Sequence, residues 1–425
     1  MAVPSKAVTA FGCLVLIASS AARAAESLAA SPPMGWNSWD AYGESVSEAD
    51  LRASAAWMAN NLKSFGWQYV VVDSGWYVTN HAAGNNAEDA TFSLDAFGRY
   101  TPATGTIPSA ANGAGFRPLA DYVHGLGLKF GIHILRGIPK SAVAANLPIA
   151  GSEFHAADAA NTADNCPWNP FNYGLDASKP AAQAYYDSVA RLYAGWGVDF
   201  VKVDCIADHP YKGDEIRMLS EALRKSGRPM VLSLSPGPTS PGKAAEVARY
   251  ATMWRISDDV WDVWASDTDF PQGPRNQFAR AAQWATHSKP GQWPDADMLP
   301  LGSLRPAAGW GEPRETRLTR DEQRSLLTNP EVLAVNQHSK ESGAVIHTGK
   351  EAVWLSRPER GAGYYLAAFN LGDEPQTLTH RWPELGLSVD RVRMRDLWER
   401  RDLPPADSFR LSLPAHGSAL LKVGP

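Results

Sequence analysis

The chain has 425 residues, of which 44% are apolar and 20% charged, so it holds ample material for a globular core. Its 40 basic and 45 acidic residues give a formal net charge of −5, and this weak balance argues against a nucleic-acid partner, which calls for a basic face. The length predicts one large domain followed by a smaller one.

The first 24 residues have the features of a secretory signal. Lys6 supplies a positive start, "AVTAFGCLVLIA" an apolar stretch, and Ala22–Ala24 a small-residue cleavage site. The apolar stretch is too short to span a bilayer and no later stretch qualifies, so we expect a secreted or periplasmic protein without a membrane partner. The mature chain keeps Cys166 and Cys205. In an oxidising compartment these two form a disulfide, or else Cys205 is a buried thiol and Cys166 an exposed one.

Apolar, β-branched runs recur along the first part of the chain, each followed by a loop and then a helical pattern. The predicted strands are 32–39, 69–76, 128–135, 198–205, 229–236 and 251–258, and the predicted helices include 47–64, 180–195 and 213–226. The first helix opens with Ser47 and has Asp50 three residues on, which is typical of an N-terminal capping box. The alternation predicts parallel strands in an α/β architecture, most economically a (β/α)8 TIM barrel. A doubly wound sheet is the alternative, but the sequence lacks the glycine-rich phosphate loop typical of it.

After about residue 340 the pattern changes to short alternating stretches separated by Gly, Pro and Asp, without a helical period. Examples are "AVWLSRPE", "GYYLAAFNLG" and "SFRLSLPAHGSALLKV". This pattern predicts a C-terminal antiparallel β-sandwich. We therefore divide the chain into a signal sequence (1–24), a catalytic barrel domain (25–338) and a β-sandwich domain (339–425).

The strand at 198–205 carries two charged side chains in an otherwise apolar run. Lys202 and Asp204 are two positions apart and so project from the same face. Asp259 follows the strand at 251–258, about two strand–helix units later, so both carboxylates can face the mouth of a barrel, where active sites collect. Two carboxylates at one pocket suit glycoside hydrolysis. The structural alternative is a set of salt bridges that closes the top of the barrel.

Seven stretches of the chain resemble one known family. They are "PPMGWNSWDAYG", "YVVVDSGWY", "GLGLKFGIHI", "GVDFVKVDC", "MWRISDD", "WPDADML" and "LLTNPEVLAVNQ". In this order, from about Pro32 to Gln337, they are similar to glycoside hydrolase family 27, the α-galactosidase or melibiase family of clan D. The stretches "MRDLWERRDL" and "LPAHGSALLKV" of the predicted sandwich fit the same family. The resemblance covers both predicted domains and implies a glycosidase that needs no metal or other cofactor.

The resemblance also implies the catalytic roles. Asp204 corresponds to the nucleophile in the family's Lys-x-Asp motif, and Lys202 to a lysine that binds sugar hydroxyls. Arg255 and Asp259 correspond to the family's arginine and, four residues on, its acid/base carboxylate. Asp258 is the rival for the second role, and the four-residue spacing favours Asp259. Such enzymes pass through a covalent glycosyl-enzyme intermediate and retain the anomeric configuration.

Further sugar-binding positions follow from the resemblance one at a time. Trp39 matches the aromatic floor of the sugar subsite, Asp73 the first of two acidic hydroxyl ligands, and Asp297 a carboxylate from strand seven. Each of these has packing or an ion pair as its structural alternative. His133 stands where the family often has Tyr, and a core histidine is an equally good interpretation.

Two positions depart from the α-galactosidase pattern. Ser74 replaces the second of two consecutive aspartates, which binds O4 or O6 of the sugar, and losing such an acceptor lowers discrimination by about one to a few kcal/mol. Ser235 stands where galactosidases usually present a glutamate near O2, and a small residue there resembles the α-N-acetylgalactosaminidase arrangement. We expect an α-galactosidase-like enzyme acting on plant-type oligo- or polysaccharides. The alternatives within the family are α-N-acetylgalactosaminides, β-L-arabinopyranosides and isomaltose-releasing hydrolysis of α-1,6-glucans.

The predicted barrel is short by one strand–helix unit. Between Leu301 and Leu326 the sequence is polar and rich in turn residues, and Arg324 runs directly into Ser325 where the family continues into a helix and an eighth strand. One barrel unit is about 30 residues, close to the length missing here. An open barrel exposes strand edges, so an inactive carbohydrate-binding or defective homologue is the alternative of a different class. The sequence carries no signature of an oligomeric state.

Overall fold

The computed structural model describes residues 28–80, 89–268, 270–304, 314–315 and 320–424. The predicted signal sequence at 1–24 lies outside these ranges. Within them, no helix is both long and apolar enough to cross a membrane.

The elements follow in chain order. The strands are β1 (Gly35–Asn37), β2 (Tyr69–Val72), β3 (Lys129–Leu135), β4 (Ile138–Pro139), β5 (Ala160–Asn165), β6 (Asn172–Leu175), β7 (Phe200–Asp204), β8 (Val231–Leu234), β9 (Met253–Arg255), β10 (Trp293–Asp295), β11 (Ser303–Leu304), β12 (Arg314–Glu315), β13 (Ser339–His347), β14 (Glu351–Pro358), β15 (Tyr364–Asn370), β16 (Gln376–Arg381), β17 (Val392–Asp396), β18 (Arg401–Ala406), β19 (Ser408–Leu413) and β20 (Ser418–Gly424). The helices are α1 (Trp39–Tyr42), α2 (Glu48–Asn61), α3 (Arg117–Gly125), α4 (Lys140–Ala144), α5 (Ala156–Ala159), α6 (Pro180–Trp196), α7 (Gly213–Lys225), α8 (Ala244–Tyr250), α9 (Pro274–Trp284), α10 (Arg320–Leu327) and α11 (Pro330–Gln337).

Seven strands of the described residues form one curled parallel sheet in the order β1-β2-β3-β7-β8-β9-β10. Strands such as Tyr69–Val72 and Val231–Leu234 are buried along their whole length, as expected for parallel strands that are covered on both faces. β1 and β10 are the two edges of this sheet. The prediction of a TIM-type barrel that is short by one unit is therefore confirmed.

Other segments bridge the gap between the two edge strands. The carbonyl of Ala29, ahead of β1, accepts hydrogen bonds from the Gly291 amide at 3.0 Å and from Trp293 Nε1 at 2.9 Å, at the start of β10. Gln337 Nε2, at the end of α11, donates to the Pro32 carbonyl at 2.9 Å. These contacts hold the N-terminal segment against both β10 and the last helix, so the two edges stay near each other.

Each of the six predicted strands and three predicted helices contains an observed element, but most observed elements are shorter, as for β1 (Gly35–Asn37) in the predicted range 32–39 and β2 (Tyr69–Val72) in 69–76. α2 begins after Ser47, whose hydroxyl accepts from the Asp50 amide at 3.2 Å while the Asp50 carboxylate accepts from the Ser47 amide at 3.1 Å. The predicted capping box is therefore confirmed. α6 ends at Gly197, whose φ of 85° lies in the left-handed region that favours glycine.

An antiparallel excursion between β3 and β7 was not predicted. It has three strands in the order β4-β6-β5 and extends from Ile138 to Leu175. Asn172 Nδ2 donates to the Arg136 carbonyl at 2.8 Å, so the excursion lies against the C-terminal end of β3. β4 and β6 have only two and four residues, and β5 is largely polar and exposed, so apolar runs did not mark these strands.

The C-terminal part is an antiparallel β domain, as predicted. Strands β13-β14-β15-β20-β17-β18 form one sheet and β16-β19 a second. The buried core of this domain includes Val353, Leu366, Trp382 and Phe409. Arg395 on β17 forms a bidentate ion pair with Glu331 of α11, at 2.7 and 2.8 Å, and this pair ties the domain to the helix that precedes it.

Cys166 and Cys205 are joined by a disulfide, with Cα atoms 6.0 Å apart. Of the two alternatives for these cysteines, the disulfide is the one present. It links the segment between β5 and β6 to the residue that follows β7. The bond therefore ties the antiparallel excursion to the end of the strand that carries Asp204.

We expect the double variant Cys166→Ala/Cys205→Ala to be less stable than the wild type. The cysteines are 39 residues apart, and in the loop-entropy model closing such a loop in the unfolded chain is worth about 4 kcal/mol. Urea unfolding without reductant, followed by tryptophan fluorescence, measures the difference in the free energy of unfolding. Wild type with reductant is the control and should move in the same direction, whereas an unchanged midpoint at unchanged slope would contradict the stabilising role.

Candidate active site

The C-terminal ends of the parallel strands bring the predicted site residues to one edge of the sheet. In chain order they are Trp39, Asp73, Ser74, His133, Lys202, Asp204, Ser235, Arg255, Asp259 and Asp297. His133 on β3 and Lys202 on β7 are register partners, so their side chains lie side by side on the same face. We call this edge of the sheet the mouth of the barrel, because sites of parallel barrels form there.

Lys202 and Asp73 form an ion pair inside the mouth. Lys202 Nζ donates to Asp73 Oδ2 at 2.8 Å, and Asn37 Nδ2 donates to the same oxygen at 2.6 Å. The Asp73 side chain is 3% exposed. Burial alone raises the pKa of this carboxyl group, but the charges of Lys202 and His133 outweigh it and hold the pKa of Asp73 well below its ordinary value. The carboxylate is therefore ionised at neutral pH.

Asp204 is held as an ionised carboxylate at the end of β7. Trp168 Nε1 donates to its Oδ2 at 3.3 Å, and His133 Nε2 lies 3.8 Å from the same oxygen. Burial opposes ionisation, but the contact with His133 and the charge of Lys202 outweigh it and lower the pKa of Asp204 below its ordinary value. Trp168 was not predicted as a site residue, because it comes from the antiparallel excursion.

The backbone that follows Asp204 is fixed from two directions. Cys205 has a φ of 63°, in the left-handed region that residues other than glycine rarely adopt. Its carbonyl accepts from Arg136 Nε at 2.7 Å, and the buried Arg136 is also paired with Asp164 at 2.9 Å and Glu215 at 2.8 Å. The disulfide at Cys205 and the anchored Arg136 together hold the turn that orients the Asp204 carboxylate.

Arg255 binds two carboxylates at the end of β9. Its Nη2 donates to Asp259 Oδ1 at 3.1 Å, and its Nη1 lies 2.8 Å from Asp297 Oδ1. Asp297 Oδ2 accepts from the Val260 amide at 2.7 Å, which fixes the loop that carries Asp259. Burial raises the pKa of Asp297 to about 7 despite the charge of Arg255. The Asp259 side chain is 30% exposed and so faces the open part of the mouth.

The Lys202 ammonium connects the two groups of residues. Burial lowers its pKa, but the charge of Asp73 and, more weakly, that of Asp259 outweigh this effect and raise the pKa of Lys202 above its ordinary value. Arg255 acts on the same ammonium in the opposite direction. Since Lys202 also lowers the pKa of Asp204, both candidate catalytic carboxylates lie within the electrostatic reach of one cation.

Asp258, the rival of Asp259, has different surroundings. It is buried, and its Oδ2 lies 3.3 Å from His209 Nε2. Burial, together with the neighbouring charge of Asp259, raises the pKa of Asp258 to about 6. Asp259, by contrast, belongs to the network of Arg255 and Lys202, which also reaches Asp204.

Two acidic residues that sequence reasoning missed lie at the same mouth, in the connection between β1 and α2. Burial and the carboxylate of Asp297 raise the pKa of Asp40 to about 8, and burial raises the pKa of Glu44 to about 7. Ser74 Oγ donates to Glu44 Oε1 at 3.4 Å. The available signal was the position of Asp40, directly after Trp39 in "GWNSWD".

The remaining predicted residues are placed as follows. Trp39 is buried against Trp261, with Met298 packed beside them. Ser74 is buried, and its amide donates to Asp73 Oδ1 at 2.8 Å. Ser235 is buried directly after β8, where its amide donates to the Val203 carbonyl at 2.8 Å. No group of His, Cys, Asp and Glu side chains suited to hold a metal ion occurs among the described residues.

Comparison with known proteins identifies the family to which this fold belongs. The model of the alpha galactosidase A family matches residues 174–309, and that of the alpha galactosidase C-terminal beta sandwich domain matches residues 348–423. A family 27 β-L-arabinopyranosidase from Geobacillus stearothermophilus, solved with arabinose, is 41% identical with a TM-score of 0.87, and the match covers 94% of this chain and 98% of that one. Alpha-galactosidase 2 of Arabidopsis thaliana is 27% identical over 88% of this chain and 84% of that protein.

A third relative carries another sugar specificity in its name. It is a protein of Bacillus halodurans whose α-N-acetylgalactosaminidase activity has only been proposed. It is 41% identical with a TM-score of 0.80, and the match covers 93% of this chain and 97% of that one. The fold, the mouth with its carboxylates and these matches together define a glycoside hydrolase. The chain belongs to glycoside hydrolase family 27, which the motifs of the sequence had indicated.

We expect Asp40→Asn to flatten the decline of stability with rising pH. The pKa of Asp40 is raised to about 8 in the folded state from an ordinary value of 3.8, so the folded state binds the extra proton between these values and loses stability as pH rises through them. Between pH 5 and pH 8 the variant should gain about 3–4 kcal/mol relative to the wild type. Urea unfolding at several pH values measures how the free energy of unfolding of each protein changes with pH. A constant effect of the substitution on stability does not alter this comparison.

The exposed Asp390 supplies the matched control, since Asp390→Asn should leave the pH dependence of stability unchanged. If the stability of wild type and of Asp40→Asn depended on pH in the same way, the pKa of Asp40 would not be raised in the folded state.

Proposed function

We propose that the protein is a retaining exo-glycosidase that releases terminal α-D-galactopyranosyl groups from oligo- or polysaccharides. The observation that carries the proposal is the arrangement of Asp204 and Asp259 around the Lys202 ammonium, with Arg255 behind Asp259. One ionised carboxylate and one partly exposed carboxylate at a single mouth are the two groups that double displacement requires.

In the first step Asp204 attacks the anomeric carbon while Asp259 gives a proton to the leaving oxygen, so the glycosidic bond breaks and a glycosyl ester forms. In the second step Asp259 takes a proton from water, the water oxygen attacks the anomeric carbon, and the ester bond to Asp204 breaks. The anomeric configuration is inverted twice and so retained. The negative charge of Asp204 disappears when the ester forms, and Asp259 then acts as the base on water.

The other residues of the mouth bind and orient the sugar in this proposal. The Lys202–Asp73 pair offers both a donor and an acceptor to neighbouring hydroxyl groups, and Trp39 offers an apolar face. Trp168 donates to Asp204, and the His133 ring lies beside the same carboxylate at 3.8 Å, so the two side chains orient it. Because the ion pair is preformed, these hydrogen bonds need little rearrangement when the substrate arrives.

A β-L-arabinopyranosidase is the second candidate, favoured by the 41% identity with the Geobacillus stearothermophilus enzyme of that name. β-L-Arabinopyranose has the ring configuration of α-D-galactopyranose but lacks the hydroxymethyl group (C6) on C5, so the same catalytic pair serves both. We place the galactoside first because the end of the mouth at Ser74 is polar, with the Glu44 carboxylate beside it. An α-N-acetylgalactosaminide has the small Ser235 in its favour.

The disulfide supports a location outside the cytoplasm, because such bonds persist in oxidising compartments. Together with the signal-like N-terminal sequence, it leads us to propose a secreted or periplasmic enzyme.

We expect Asp204→Ala to lower kcat for 4-nitrophenyl α-D-galactopyranoside by about 10³-fold or more, since no covalent intermediate can then form. Galactose binding, measured by thermal shift, should persist because the sugar-binding groups remain. Early ¹H NMR spectra of the wild-type reaction should contain the α anomer of galactose. A fully active Asp204→Ala variant, or β-galactose as the first product, would refute the mechanism.

Asp259→Ala should discriminate between leaving groups. A nitrophenolate departs without a proton, so its release should be affected much less than that of the sugar leaving group of melibiose. Asp258→Ala is the matched control and should change both substrates by the same factor. If Asp258→Ala instead produced the leaving-group dependence, the acid/base role would belong to Asp258.

A further inference from the structure

We propose that Glu44, together with Ser74, forms the part of the sugar pocket that recognises the C6 hydroxyl, and that Glu44 thereby makes the enzyme select α-galactosides over β-L-arabinopyranosides. The inference deepens the function proposed above and rests on it. It assigns a role to a residue that lies outside the strand ends and is supplied by the connection between α1 and α2.

The backbone is built so that Glu44 reaches the position next to Ser74. Gly75 has a φ of 90°, and a Cβ atom at that position would lie 2.6 Å from Glu44 Cβ. The two segments can therefore approach each other only because residue 75 is glycine. Ser74 Oγ then lies 3.4 Å from Glu44 Oε1, at the long end of the hydrogen-bond range, so the serine leaves the carboxyl group with free acceptor capacity.

Glu44 lies beside the sugar-binding groups of the mouth. Its carboxyl group interacts electrostatically with His133 and Asp73. Ser74 is the residue directly after Asp73, which Lys202 holds at 2.8 Å. An oxygen of Glu44 therefore stands near the place where the replaced second aspartate would have presented its carboxylate, although it comes from a different part of the chain.

Two buried polar atoms near Glu44 have no hydrogen-bond partner among the described residues. They are the hydroxyl oxygen of Tyr77 and Nδ1 of His133. Burial and the charge of Glu44 raise the pKa of the Tyr77 hydroxyl. Unpaired buried polar groups destabilise a protein unless a ligand or water completes them.

The polarity of this end of the mouth decides which sugar fits it. A substrate without a hydroxymethyl group would leave Glu44 and Ser74 facing a carbon and would be disfavoured by their desolvation. A hydroxymethyl group supplies one hydroxyl that can donate to Glu44 and accept from a neighbouring donor. The arrangement therefore favours a galactoside.

The test compares kcat/KM for 4-nitrophenyl α-D-galactopyranoside and 4-nitrophenyl β-L-arabinopyranoside in wild type, Glu44→Ala and Glu44→Gln. Glu44→Ala should lower the value for the galactoside by about 10- to 100-fold and leave that for the arabinopyranoside within about threefold. Glu44→Gln keeps an acceptor oxygen and should retain most of the preference. Glu153→Ala, at an exposed glutamate, is the matched control and should change neither value.

A second measurement keeps the inference testable apart from catalysis. Thermal-shift titrations with D-galactose and L-arabinose report binding alone, and the preference of the wild type for galactose should be lost in Glu44→Ala. A galactose preference that depends on Glu44 in a protein without turnover would refute the proposed function and support the role of Glu44. Equal losses for both sugars in Glu44→Ala, or a wild-type preference for the arabinopyranoside, would overturn the inference while leaving a family 27 glycosidase in place.

Discussion

The mouth of the barrel depends on an imbalance of charge, because two cations, Lys202 and Arg255, stand among a larger number of carboxyl groups. Lys202 keeps Asp73 and Asp204 ionised, since the attraction outweighs the effect of burial. Where the attraction of the cations is weaker than the effect of burial and of neighbouring carboxylates, a carboxyl group holds its proton instead. Asp40 is an example, because its pKa is raised to about 8. The same mouth therefore holds both ionised and protonated acids, because the cations reach some carboxyl groups more strongly than others.

The strands and the connections of the chain supply different groups of residues to the mouth. The parallel strands supply the ion pairs, whose geometry is fixed by register, as with His133 beside Lys202. The antiparallel excursion supplies Trp168, and the disulfide at Cys205 together with Arg136 holds that excursion and the turn after Asp204 in place. The connection after β1 supplies further acids. The ion pairs of the mouth thus lie on strands, while Trp168 and the additional acids lie on connections.

The sequence was sufficient to predict what apolar periodicity and strand direction control. Buried runs such as Tyr69–Val72 marked the strands, and parallel strands bring their C-terminal residues together, so Asp204 and Arg255 were expected at one edge. Glu44 and Trp168 could not be found in this way, because they reach the mouth through turns and short polar strands whose paths depend on tertiary contacts. The resemblance to a family did not help with Glu44 either, since its motifs place the second acid at position 74.

The shortened barrel removes part of the frame without removing the described site residues. Among the described residues the parallel sheet ends at β1 and β10, and its unpaired edges have lost ladder hydrogen bonds that an eighth strand would make. The contacts of Ala29 with Gly291 and Trp293 replace a few of them and hold the two edges together. Every strand that carries the Lys202 and Arg255 networks has a neighbour on at least one side, and β7 and β9 have neighbours on both. The missing strand therefore lowers the stability of the gap between β1 and β10 more than it changes the geometry around Asp204. That geometry is set by strands in the interior of the sheet.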